Sequence, residues 1–215
     1  YSGALYFRAD GGDGAGYELW KYDPVNGAQR VADISPGSSS SYPEYLAVYS
    51  GALYFRADGG DGAGAELWKY DPVNGLQQVV DIYPGAGGSV PFFLATYNGA
   101  LYFGAQGHDT TGHELWKYDP VNGASCVADI NPGSGDSFPC HLAVYNGALY
   151  FCADGNDAKG NELWLYSNSL SADFRSTGVY DGWVLESGET TNKGGTLNAG
   201  ATTFNLGDNA QDKQY

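Results

Sequence analysis

The phrase Ser-Gly-Ala-Leu-Tyr-Phe at Ser2–Phe7 returns at Ser50–Phe55, Asn98–Phe103 and Asn146–Phe151, each 48 residues after the last, with Asn for Ser in the later two. A second phrase, Glu-Leu-Trp, keeps the same step at Glu18–Trp20, Glu66–Trp68, Glu114–Trp116 and Glu162–Trp164, so residues 1–166 carry neither insertion nor deletion between units. A period of that size belongs to arrays of supersecondary units, each too small to bury its own apolar face and each covered by its neighbours.

Local chemistry fixes what one unit is. Asn146-Gly147 stands between Ala143–Tyr145 and Ala148–Phe151, and Asn-Gly between apolar runs is a strong signal for a two-residue type I′ hairpin, whose central residues both need positive φ. Counting outward from Ser50-Gly51 sets Val48 opposite Leu53, Ala47 opposite Tyr54 and Leu46 opposite Phe55. The glycine-rich segments 11–16 and 59–64 return the chain into an alternating strand, Tyr17–Asp23 in the first unit. Asp23-Pro24-Val25-Asn26-Gly27 makes the next turn, with Pro pre-setting φ and Asn-Gly supplying left-handed residues. Only the Ser/Pro/Gly stretch 35–41 is long and loose. The tight turns therefore group strands at about 43–49, 52–58, 65–71 and 76–82 into one meander, and the fold class is all-β, a propeller-like array of four-stranded antiparallel blades. In this phase the first unit lacks its inner strand, and the fourth has no repeat-like outer strand after Asn161–Tyr166.

The division is residues 1–166, a repeat domain of about four blades, and 167–215, a C-terminal β-strand extension. The chain begins in the middle of a unit, which points to a processed product or a fragment. No run of 18 apolar residues exists, so no membrane-spanning helix is expected. A net charge of −15 argues against nucleic-acid partners, which require clustered Lys and Arg.

The phrases Ala57-Asp58-Gly59, Glu66-Leu67-Trp68, Asp81-Ile82-Tyr83-Pro84-Gly85 and Asn98–Phe103, in that order, resemble the ELWxxDGT repeat of large secreted bacterial proteins over residues 1–166. The chain departs at the DGT position, where Asp71-Pro72-Val73-Asn74-Gly75 makes a different turn. The resemblance implies export and a propeller-like array, and it implies no enzymatic activity. Residues 176–187, Ser-Thr-Gly-Val-Tyr-Asp-Gly-Trp-Val-Leu-Glu-Ser, resemble the opening of DNRLRE-type β-sandwich domains of surface and carbohydrate-associated proteins.

Candidate chemistry follows the repeat. Asp10, Asp13 and Glu18, with Asp58, Asp61 and Glu66 and with Asp154, Asp157 and Glu162, surround the glycine-rich turns and offer oxygen ligands to calcium; the alternative is a set of solvated hairpin turns. Trp20, Trp68, Trp116 and Trp164 are either sugar-stacking platforms or interblade core. Cys126, Cys140 and Cys152 are disulfide candidates, one local bridge leaving one thiol over, with three unpaired thiols as the alternative. His108, His113 and His141 join no nucleophile motif, so no enzyme is expected.

The sequence thus predicts an extracellular structural or adhesive protein, secreted or at the cell surface, that self-associates head to tail into a homopolymer. In that expectation the C-terminal strands, through Val179, Tyr180, Trp183, Leu185, Phe204 and Leu206, complete a neighbouring subunit. The alternative is a lectin-like module binding glycans, with calcium as a candidate ligand and no cofactor required.

Overall fold

A computed structural model describes residues 1–108, 110–156 and 158–167, and beyond them the backbone of three short strands. Among the described residues there is no helix, and hence none long and apolar enough to cross a membrane. The first sheet has three antiparallel strands, β1 (Leu5–Asp10), β2 (Tyr17–Asp23) and β3 (Gly27–Arg30). The second is a meander of β4 (Glu44–Tyr49), β5 (Ala52–Asp58), β6 (Ala65–Asp71) and β7 (Gly75–Val80). The third repeats it with β8 (Phe92–Tyr97), β9 (Ala100–Gln106), β10 (His113–Asp119) and β11 (Gly123–Ala128). The fourth begins with β12 (Cys140–Tyr145), β13 (Ala148–Asp154) and β14 (Asn161–Tyr166). Two short strands, β15 (Val179–Tyr180) and β16 (Trp183–Val184), pair with each other, and β17 (Thr203–Asn205) pairs antiparallel with β14 as the fourth strand of the last sheet.

The hairpin turns take the conformation the sequence demands. Ser50 and Gly51 have φ of 46° and 77°, Asn98 and Gly99 45° and 77°, and Asn146 and Gly147 47° and 78°, which is the type I′ pattern. Val48 faces Leu53 and Ala47 faces Tyr54 as expected. The expected Leu46–Phe55 pair is not made, because a bulge opens between Glu44 and Ala47. The same break recurs between Phe92 and Ala95 and between Cys140 and Ala143. In each, one residue takes the left-handed region: Tyr45, Phe93 and His141 have φ of 56°, 53° and 54°. The Asp-Pro-Val-Asn-Gly turn also differs in detail from the expectation. Only its glycine is left-handed, with φ of 72°, 74° and 75° at Gly27, Gly75 and Gly123, as in a three-residue loop closed by a glycine bulge.

Strand alternation gives every sheet two apolar faces, and successive sheets stack through them. Leu19 and Ile34 of the first unit pack on Leu53, Phe55 and Ala57 of the second. Leu67 and Ile82 then meet Leu101, Phe103 and Ala105, and Leu115 and Ile130 meet Leu149, Phe151 and Ala153. The leucine of each Glu-Leu-Trp phrase thus meets the Leu-x-Phe of the next unit, three times over. The first strands of successive full sheets, β4, β8 and β12, lie side by side.

Candidate functional site

The structure divides the candidate carboxylates into two sets that do not converge. The aspartates of the glycine-rich turns bond their own loop: Asp10 Oδ1 accepts the Gly12 N–H at 2.8 Å, Asp13 that of Ala15 at 3.2 Å, Asp58 that of Gly60 at 2.8 Å and Asp61 that of Ala63 at 3.0 Å. Asp154 does the same for Asn156 at 2.8 Å, and Asp157 lies outside the described residues. Among the described residues, no three His, Cys, Asp or Glu side chains are grouped as a metal site.

The glutamates instead turn inward. Glu18, Glu66 and Glu114 are fully buried, and each grips the linker that leads to the next unit. Glu18 accepts the Ile34 N–H at 2.8 Å, the Ser41 N–H at 3.0 Å and the Ser41 hydroxyl at 2.7 Å. Glu66 does the same with Ile82 and Ser89, and Glu114 with Ile130 and Ser137. The serine carbonyl then accepts a backbone N–H of the following unit at 2.9 Å: Ser41 from Asp58, Ser89 from Gln106 and Ser137 from Asp154. A buried carboxylate persists only when its oxygens are satisfied, and here linker amides and a hydroxyl do that. Burial pushes the Glu114 carboxyl up to about 7, against the lowering pull of the Ser137 and Ile130 bonds, and burial raises Glu66 as well. Sequence reasoning missed this clasp: it offered the glutamates to calcium or to solvated hairpin turns, and read the serines as loose linker. The signal was present: a serine stands 23 residues after the glutamate at Ser41, Ser89 and Ser137.

The tryptophans differ in burial: Trp20 and Trp68 are half-buried, and Trp68 packs against the core between the first and second units. Trp116 and Trp164 are buried, and Trp164 Nε1 donates to the Ala153 carbonyl at 2.9 Å. A glycine sits over the ring in each case described: a Cβ at Gly59 would stand 2.7 Å from Trp68, and one at Gly155 2.9 Å from Trp164. That close approach is why the turn opens with Gly. The aromatics left at the surface are others. Tyr17 and Tyr42 stack at 5.7 Å with the Arg8 guanidinium near both rings, and His113 stacks on Phe138 at 5.0 Å.

A ladder of tyrosine hydroxyls bridges consecutive hairpins. Tyr1 donates to the Gly51 carbonyl at 2.7 Å, Tyr49 to Gly99 at 2.7 Å and Tyr97 to Gly147 at 3.0 Å, always 50 residues ahead. The next rung belongs to Tyr145, which is 74% exposed, and the unmatched acceptor hairpin is Ser2-Gly3. The leucines follow suit. Leu53, Leu101 and Leu149 are at most 3% exposed while Leu5 is 65% exposed; Leu19, Leu67 and Leu115 are at 0% while Leu163 is at 42%. Among the described residues, the near face of the first unit and the far face of the fourth therefore expose side chains whose counterparts are covered at the internal junctions.

Of the residues expected to contact a neighbour, Val179, Tyr180, Trp183 and Phe204 lie in strands whose backbone alone is described, and Leu185 and Leu206 lie outside the described residues. Cys140 and Cys152 are register partners on β12 and β13, whereas Cys126 lies on β11 at another junction. Comparison with protein-family models, curated proteins and solved structures finds no match.

Proposed function

We propose that the chain is an extracellular structural or adhesive protein whose stacked units form a propeller-like body and which associates head to tail. One observation carries this reading: residues buried at all three internal junctions are exposed at the two outer faces, in complementary halves. A four-unit step places Gly3 of a second copy where Tyr145 finds its rung and Leu5 of that copy where Leu163 finds its cover. Such a contact is heterologous, so repetition builds a ring or a filament. The tail contributes by strand addition, since the outer edge of β14 accepts β17, and in an assembly the same segment completes a neighbouring copy.

The test is sedimentation of the full chain across a concentration series, alongside Leu5→Arg, Leu163→Arg and a deletion of residues 176–215. Association that grows with concentration and is lost in either arginine variant is expected. A wild-type chain that stays monomeric at every concentration overturns it. Loss of assembly in the deletion alone assigns the contact to the tail and removes the blade faces from it. Because the chain carries −15, association strengthens as salt screens the repulsion between copies.

A second reading, glycan binding, is favoured by the exposed stacked pair Tyr17 and Tyr42, not by the tryptophans. A glycan array run with and without chelator checks it, Tyr42→Ala being the variant that should lose any sugar bound there.

A further inference from the structure

One cross-strand site, just before the bulge of the inner strand, is filled differently in each unit, and always by a matched pair. In the second unit Glu44 faces Arg56, and the two form an ion pair that Arg8 of the first unit joins. In the third, Phe92 faces Gly104, where a Cβ would stand 2.6 Å from the Phe92 ring, so the glycine makes room for the aromatic. In the fourth, Cys140 faces Cys152. Opposite charges, then ring and gap, then two thiols are three ways of clasping the same point of the sheet.

We propose that Cys140 and Cys152 form an intrachain disulfide across β12 and β13. Directly opposed residues of antiparallel strands have Cα atoms about 4.5 or 5.5 Å apart, and a disulfide spans roughly 4.4–6.8 Å, so the Cα spacing of such a pair falls within its range. The two thiols sense each other: burial first, then the neighbouring sulfur, pushes the Cys140 thiol up to about 11. Cys126 cannot compete. It sits on β11 in the packing between the second and third units, opposite Trp116, and its thiol donates to the Ala128 carbonyl at 3.5 Å.

The oxidant is a low-molecular-weight disulfide. One thiolate attacks it, forming a mixed disulfide and releasing one small thiolate; the second protein thiolate attacks the protein sulfur of that intermediate and releases the other. Two cysteine thiols are oxidised, the reagent is reduced to two thiols, and no other reactant is needed. Strand alternation puts Cys152 with Tyr150 on the side of β13 away from Leu149, Phe151 and Ala153. Both cysteines are half-buried, so the reagent can reach them. The raised Cys140 thiol makes closure slow at neutral pH and faster as pH rises.

The full chain is equilibrated with excess oxidised glutathione at about pH 8, and a parallel sample is kept in a phosphine reductant. Expected are an intact mass lower by about 2 Da, one linked peptide joining Cys140 to Cys152, an alkylatable Cys126, and a melting temperature higher by roughly 5 °C than in the reduced sample. Cys126→Ser keeps the bond, and Cys140→Ser, with wild-type circular dichroism as proof of folding, abolishes it. Alkylation of both Cys140 and Cys152 after oxidation, a bridge that includes Cys126, or a bridge between two chains overturns the proposal. Oxidation of a monomeric sample leaves the disulfide standing even where head-to-tail association fails.

Discussion

The junction between the second and third units and the outer faces of the first and fourth are built from the same residues at the same phase, yet they differ in nearly every physical respect. Inside, Leu67 and Leu101 are wholly buried, Glu66 grips Ser89, and the Tyr49 hydroxyl reaches Gly99. Outside, Leu5, Leu163 and Tyr145 face solvent. The difference teaches that a unit's side chains do not define its core; the neighbour does. It also separates stability from association, since the first lives at the junctions and the second at the faces.

The largest effect should come from the apolar half of that comparison. Leu101→Ala empties a buried site and should cost about 2–5 kcal/mol, while Leu5→Ala should cost under about 0.5 kcal/mol, both read from urea denaturation followed by circular dichroism. Equal losses would mean that the outer face is covered in solution. Next comes the polar clasp. Ser89→Ala removes the hydroxyl that satisfies buried Glu66 and should cost about 1–3 kcal/mol, against almost nothing for Ser38→Ala in the exposed part of the linker.

The pH dependence refines the same contrast. Glu114 keeps its proton in the fold up to about 7, whereas the unfolded chain releases it near the ordinary 4.5. The fold therefore binds more protons than the unfolded state between those values, and stability falls as pH rises through them. This contribution is fully present below about 4.5 and gone above about 7. The urea midpoint of Glu114→Gln should vary less over that window than that of the wild type; parallel profiles would remove Glu114 as the source. The smallest effect is expected at the Asp-Pro-Val-Asn-Gly turns. The Asn74 backbone N–H, followed by its side-chain amide and the Val73 N–H, holds Asp71 below the ordinary aspartate value, so Asp71→Asn should weaken only that hairpin, seen as faster amide exchange at its tip.

Much of a single unit was legible because its information is local. Asn98-Gly99 demands two left-handed residues, and few turns but type I′ supply them, so the pairing of the strands on either side follows. The alternation in Tyr17–Asp23 likewise announced a strand. The bulges at Tyr45, Phe93 and His141 were not legible: an aromatic or histidine in left-handed backbone carries no turn signature. Of the site, Glu18, Glu66 and Glu114 stood out by recurrence, but their partners lie 16 and 23 residues away on a segment whose composition reads as loose linker. Repetition marks importance without saying whether the partner is a metal ion or a backbone amide.

The sequence by itself determined the 48-residue step, the meander and its tight turns, because hairpin chemistry acts over a few bonds. Only the tertiary structure decided which copy of each leucine is buried, that the repeated glutamates clasp linkers, that Gly59 and Gly155 approach Trp68 and Trp164 closely, and that Cys140 rather than Cys126 stands opposite Cys152. Those outcomes depend on how one unit lies against the next, and identical phrases acquire different environments solely by having, or lacking, a neighbour.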